Sequence, residues 1–227
     1  MSGKNYRKNA EKVKPQKYSP TEGFELLNQF ESKKLDESID VAVRLGVDPK
    51  QSDQMVRGAV VLPHGTGKKV RVLVIAKGEK LQEAESAQVE YSGGEDLINK
   101  IKTGWVDFDK VIATPDMMGA LSKVAKVLGP RGLMPNPKSG TVTFELKKAI
   151  EEQKKGKVEF RIDKEGILHS MIGKKSFGPE KLRENFQSLM EAVLKQKPAS
   201  SKGVYLRSVA ISSTHSPSVL IDPLKIA

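Results

Sequence analysis

Cysteine is absent from the 227 residues, which removes disulfide scaffolds, cysteine nucleophiles and thiolate metal sites together. Histidine is scarce: His64, His169 and His215 are the three in the chain, and three scattered imidazoles do not make a zinc site, so no metal is expected. Aromatic residues are 5% of the chain and none cluster in a strand pattern, which disfavours base recognition by aromatic stacking on a sheet. Long apolar runs are missing as well. The clearest, Val70–Ala76, is far short of the roughly 20 residues of a membrane span, and residues 1–17 contain no apolar core of a secretory signal. The expectation is a soluble, cytoplasmic protein with no membrane partner, in a reducing or redox-indifferent compartment.

Positive charge is what the chain has in excess. Lys and Arg number 39 against 28 Asp and Glu, a net charge of +11, and a basic surface supplies the salt-dependent attraction on which most nucleic-acid affinity rests. Residues 1–17 hold Lys4, Arg7, Lys8, Lys12, Lys14 and Lys17 against Glu11, with little to bury, and read as a mobile basic arm. Residues 69–156 carry 15 basic and 12 acidic groups, leaving 24 and 16 on the flanks, so most of the attraction to a polyanion falls outside the middle.

The hydropathy pattern changes at the same places. Ser19-Pro20-Thr21-Glu22 reads as a capping box opening a helix with Phe24, Leu27 and Phe30 on one side. Ser38–Leu45 alternates, with Ile39, Val41, Val43 and Leu45 on one face and Ser38, Asp40, Ala42 and Arg44 on the other: a strand with one wet side. Residues 58–63 offer another strand, and His64-Gly65-Thr66-Gly67-Lys68 a linker. From 69 to 156, continuous apolar strands (Val70–Ala76, Val111–Ala113) alternate with amphipathic helices, the signature of βαβ units covered on both faces. One helix, capped by Thr114-Pro115-Asp116, runs to Gly129-Pro130. After Gly156 the period of two returns at Val158, Phe160 and Ile162, with Ile167–Ile172 as a hairpin partner. Pro179 then opens a helix bearing Leu182, Phe186, Leu189, Met190, Val193 and Leu194, and Val204–Ile211 is a last strand. The expected fold is an α+β outer domain built from both chain ends, 1–68 with 157–227, and an inserted α/β Rossmann-like three-layer domain, 69–156.

A nucleotide-dependent enzyme using that central block is the rival reading, and its motifs fail. After Ala76 comes Lys77-Gly78-Glu79-Lys80, one Gly where a dinucleotide fingerprint needs three and an acid where a phosphate would sit. His64–Lys69 lacks the upstream Gly and the Ser or Thr of a phosphate loop, and no Gly-x-Ser-x-Gly elbow occurs. No cofactor and no small-molecule substrate are expected. The wet strand face, the Asp163-Lys164-Glu165-Gly166 turn and Ser212–Ser216 instead offer hydroxyls, amides and cations suited to phosphate and 2′-OH contacts.

Several runs together resemble one family. They are Arg44-Leu45-Gly46-Val47-Asp48-Pro49, Ser52-Asp53-Gln54-Met55-Val56-Arg57-Gly58, Leu62-Pro63-His64-Gly65, Gly104-Trp105-Val106-Asp107-Phe108-Asp109, Ala113-Thr114-Pro115-Asp116 and, most specific, Gly129-Pro130-Arg131-Gly132-Leu133-Met134-Pro135-Asn136-Pro137-Lys138. In this order they resemble the bacterial L1 family of large-subunit ribosomal proteins, end to end. The resemblance implies a non-enzymatic two-domain protein with a split β-α-β type sheet and two helices in its outer domain and a two-stranded hinge. It also implies binding to the 23S ribosomal RNA of the mobile stalk, contact with exit-site tRNA, and repression of its own operon through a similar mRNA structure.

Carried onto this sequence, the family's RNA face falls on Lys34, Leu35, Ser38, Asp40, Arg44, Asp163, Lys164, Ser208, Thr214, His215 and Ser216. Arg131 and Lys138, in a loop fixed by three Pro and two Gly, are candidates for a secondary RNA or tRNA contact. Two departures stand out. Leu35 occupies a place where the family commonly has Phe, and Thr214-His215-Ser216-Pro217-Ser218 replaces its Thr-Met-Gly-Pro-Ser.

Overall fold

Alternation in the sequence builds the outer sheet, and continuous apolar runs build the inner one. The structure, a computed structural model, describes residues 3–32, 35–87 and 89–226. In chain order it has helices α1 (Lys4–Lys12) and α2 (Pro20–Asn28), strands β1 (Ser38–Leu45), β2 (Arg57–Val61) and β3 (Val72–Ile75), helix α3 (Glu79–Ser86), strand β4 (Tyr91–Gly93), helix α4 (Glu95–Lys102) and strand β5 (Lys110–Ala113). There follow short helices α5 (Met118–Leu121) and α6 (Ala125–Leu128), helix α7 (Leu146–Lys154), strands β6 (Lys157–Arg161) and β7 (Ile167–Lys174), helix α8 (Gly178–Lys195), and strands β8 (Leu206–Ser213) and β9 (Val219–Ile221). The chain divides into two compact units, Met1–Gly67 with Val158–Ala227, and Lys68–Lys157.

In the first unit the sheet order is β7-β1-β8-β9, every neighbouring pair antiparallel. Because β7 and β8 each run against β1, they are parallel to one another with β1 between them, so β7-α8-β8 is a split β-α-β unit. Ile39, Val41, Val43 and Leu45 of β1 are buried with Leu168, Ile172, Val209 and Ile211 beneath α2 and α8, which meet through an edge-on Phe24–Phe186 contact with ring centroids 5.5 Å apart. Each such side chain taken fully out of water contributes about 1.5–3 kcal/mol. Helix α2 starts as its sequence dictates: the Ser19 hydroxyl accepts from the Glu22 amide and the Glu22 carboxylate accepts from the Ser19 amide at 2.9 Å. The Ser19 amide, and after it the Ser19 hydroxyl donating to the same carboxylate at 2.7 Å, hold the Glu22 carboxyl below its ordinary range.

The second unit holds a three-stranded parallel sheet, β4-β3-β5. Leu73 and Ile75 face one apolar cluster with Leu97, Ile101 and Leu121, and Val72 and Val74 the opposite cluster with Ala84, Leu146 and Ile150. Both faces are therefore covered, which is why β3 reads as an unbroken apolar run.

Three expectations differ from what is observed. The mobile arm over 1–17 carries α1, docked through Asn9: its Nδ2 donates to the Glu31 carbonyl and its Oδ1 accepts from the Glu31 amide, both at 2.9 Å, while Lys12 Nζ donates to the Gln29 carbonyl at 2.9 Å. The β6–β7 hairpin is not formed either. β6 pairs with β2, and it meets β7 only through the Ile162–Leu168 bridge and the turn between them. Phe160 decides this, since it packs so closely over Gly58 that a Cβ there would stand 2.8 Å from the ring. Third, the helix expected after Thr114 is broken into α and 3-10 turns without a side-chain cap from Thr114; Gly119 weakens it, and the Ser122 hydroxyl donates to the Gly119 carbonyl at 2.7 Å.

Asn185 on α8 is fully buried, at 0% exposure, and fully bonded. Its Oδ1 accepts from the His64 amide at 3.0 Å and its Nδ2 donates to the carbonyls of Gly65 at 2.9 Å and Ile172 at 2.8 Å, so one side chain ties the 62–65 segment to β7. Asn185→Leu, similar in volume, would leave those groups unpaired and lower stability by about 2–4 kcal/mol in denaturant unfolding. An unchanged midpoint would contradict this assignment.

Candidate nucleic-acid interface

The face of the outer sheet opposite α2 and α8 carries the polar half of the alternation. Strand register places Arg44 between Ile167 and Ser208, Ala42 between His169 and Ala210, and Asp40 between Met171 and Ser212, while Ser38 lies beside Lys174. At about 3.3 Å per residue, Ser38 and Arg44 are roughly 20 Å apart along β1. Asp40, Arg44, His169 and Ser208 are exposed, and Arg44 has no ion pair among the described residues.

At the Ser38 end the chain is tied tightly. Thr214 Oγ1 accepts from the Ser38 amide at 3.2 Å, and the Thr214 amide donates to the Ser38 carbonyl at 3.2 Å. Below them Glu37, 5% exposed, accepts a hydrogen bond from the buried Ser213 hydroxyl, and its carbonyl accepts from the Lys175 amide at 2.8 Å. Ser216 Oγ accepts from the Ser213 amide at 2.9 Å, so this hydroxyl shapes its own turn, and His215 projects from that turn, exposed. Close by, Asp36 sits beside Lys174 at 3.8 Å and accepts from Ser176; burial opposes its ionised form, but the Ser176 bonds and Lys174 outweigh it and lower its pKa.

At the Arg44 end, Asp163 Oδ1 accepts from the amides of Glu165 and Ile167, each at 2.8 Å, around Gly166 with φ 75°, a left-handed conformation that favours glycine. The bond from Ile167 is the main cause that holds the Asp163 carboxyl below its ordinary range; burial opposes it, and Glu165 and His169 add to it. Asp163 therefore shapes the turn, and Lys164 is exposed at its tip.

The sequence-derived set is thus brought together only in part. Ser38, Asp40, Arg44 and Ser208 share one face, with Thr214–Ser216 and Asp163–Lys164 at its two ends. Leu35 is 63% exposed just before β1, whereas Lys34 lies outside the described residues. Arg131 and Lys138 belong to the other unit, exposed on a loop stitched by Asn136, which accepts from the Lys138 amide at 2.8 Å, and by Thr141, whose hydroxyl accepts from the Asn136 amide at 2.8 Å. Sequence reasoning missed His169 and Met171 on the open face and Glu37 beneath it. The alternation of β7 signals the first two, but only register puts them beside β1; nothing local marks Glu37.

Among the described residues no group of three or more His, Asp or Glu is placed to hold a metal ion, and no helix is long and apolar enough to cross a membrane. What the arrangement offers chemically is contact: donors, acceptors and cations fixed on a sheet, facing outward. The sequence model of the ribosomal protein L1p/L10e family matches residues 27–217, and the chain belongs to that family. Among its relatives, the large ribosomal subunit protein uL1 of Bdellovibrio bacteriovorus is 58% identical over 224 residues, covering 98% of this chain and 96% of that protein.

The Asp163 turn has a pH signature. A carboxyl whose folded pKa is depressed adds stability above its unfolded value of about 3.9 and loses that contribution as pH falls through the folded value. A carbon-13 titration is expected to place the Asp163 midpoint below about 3.9, with the 163–167 amides losing protection only in that acid window. A midpoint at or above the unfolded value would contradict the hydrogen-bonded turn.

Proposed function

We propose that this chain is a structural constituent of the large ribosomal subunit, cytoplasmic and resident on the ribosome, and that it binds 23S ribosomal RNA at the mobile stalk through the open face of the β7-β1-β8-β9 sheet. The observation that carries this is the fixed arrangement of Ser38, Asp40, Arg44, Ser208 and the Thr214 turn on a sheet backed by α2 and α8, in a chain of a ribosomal protein family. Hydroxyls and amides spaced along a sheet match phosphate and 2′-OH groups, and the basic excess of the flanks adds a sequence-independent attraction. Recognition is by shape and backbone.

The same surface serves the repressor role, in which the chain binds a stalk-like structure in its own operon mRNA. Contact with outgoing exit-site tRNA is assigned to the second unit through Arg131 and Lys138. Both roles rest on the family resemblance and the exposure of these side chains. Leu35 offers apolar contact without an aromatic face, His215 puts a polar imidazole where the family has a Met thioether, and Ser216 adds a side chain where the family has Gly.

The test is titration of the pure protein with a stalk rRNA fragment and with a scrambled duplex of equal length, across salt. Tight binding to the fragment that persists as salt rises, with the scramble released, is the expected result. Ser208→Ala or Thr214→Ala should weaken the specific complex by about 1–3 kcal/mol, because a partner on the RNA is left unpaired. Equal, salt-labile binding of both RNAs would contradict the reading.

A further inference from the structure

A groove at the Ser38 end of the sheet extends the sheet face toward α1. It has a volume of about 630 Å³ and lies between the start of α1, with Lys4 and Tyr6, and the turn after β8, with Thr214, His215 and Ser216. Glu31 and Glu37 also line it; Glu37 is buried against Ser213, and the exposed Glu31 carboxylate is paired with Lys8 at 3.2 Å, which leaves Lys4 as the cation of the lining without an ion pair among the described residues. Tyr6 is 41% exposed in a chain poor in aromatics. The helix that carries it bears Lys4, Arg7, Lys8 and Lys12 against Glu11 and is held in place by Asn9, so the groove is formed before any ligand arrives. Its far wall, the Thr214 turn, is continuous with the sheet face.

An aromatic face beside a lysine, in a preformed groove joined to a polar sheet, suits a nucleotide that has left its helix, with the ring as a stacking platform and the cation near the phosphate. We propose that this groove takes one unpaired nucleotide of the bound RNA, its base against Tyr6 and its phosphate toward Lys4. The proposal rests on the reading of the sheet face as an RNA surface. It makes α1 a part of the recognition surface.

The experiment uses the full chain and the stalk rRNA fragment, comparing Tyr6→Ala, Tyr6→Phe and Asn9→Ala with Thr214→Ala, together with chemical probing of unpaired bases. Tyr6→Ala should bind about five- to a hundredfold more weakly, and Tyr6→Phe like the parent, because the ring and not the hydroxyl is used. Asn9→Ala, which frees the helix, should reproduce the loss, and the double variant should lose no more than the weaker single one. One unpaired base protected by the parent should become reactive with Tyr6→Ala. If Tyr6→Ala also melts earlier, Tyr6→Leu decides, since parent-like binding without an aromatic ring overturns the proposal. Parent-like binding by Tyr6→Ala while Thr214→Ala is weakened overturns the groove and leaves the sheet reading intact; a parent that does not prefer the stalk fragment to a scrambled duplex overturns both.

Discussion

Strand β1 has to keep its apolar residues inward and its polar residues outward while pairing on both edges, and the outer unit is arranged around that requirement. A slip of one residue would put Ile39, Val41 and Val43 into water and Asp40 and Arg44 into the core. Both ends are pinned against it. At the Leu45 end, Gly46 approaches so closely that a Cβ would stand 2.1 Å from the Val204 carbonyl oxygen; its amide donates to the Tyr205 carbonyl at 2.7 Å, and its own carbonyl accepts from the Ser201 hydroxyl at 3.1 Å. At the Ser38 end, Thr214 and the Glu37 carbonyl tie β1 to β8 and to the residue after β7. Irregular register falls at Ile39/Asp40 against β7 and at Arg44/Leu45 against β8, near the two ends, so the central polar lattice stays regular.

This arrangement favours binding because little remains to be ordered when a ligand arrives. The open face grows from strands whose other side is buried, so its hydroxyls and cations are held by the core. Polar groups that would compete for a ligand are already used in shaping the edges: Asp163 holds its turn, Ser216 holds the 213–217 turn, and Glu37 holds Ser213. Beside the exposed Asp40 and His169, the face and its ends present Arg44, Lys164, Ser208 and His215, which can meet a phosphate backbone without first breaking an ion pair among the described residues.

Elements fixed by local chemistry were legible in the sequence. The capping box at Ser19, the alternation of Ser38–Leu45 and the apolar stripe of α8 each need only neighbours within a few residues, and each is present. Elements fixed by distant partners were not. The pairing of β6 with β2 depends on Phe160 finding Gly58, about a hundred residues away in sequence, and the docking of α1 on Asn9 reaching the Glu31 backbone. Strands β4 and β9 are three residues each, too short for a period to register. The chemical kind of the candidate site, hydroxyls and cations on a wet strand, was legible for the same local reason, while the neighbours of that strand, His169 and Met171, came only with register.

Whether RNA meets the open sheet face can be read from ultraviolet cross-linking of the stalk rRNA fragment to the full chain, with the linked peptides identified by mass spectrometry. Cross-links are expected in β1, in β8 and its following turn, and around Lys164, with none on the outward sides of α2 and α8. Cross-links concentrated on those helices, with the sheet peptides unmodified, would contradict contact through that face.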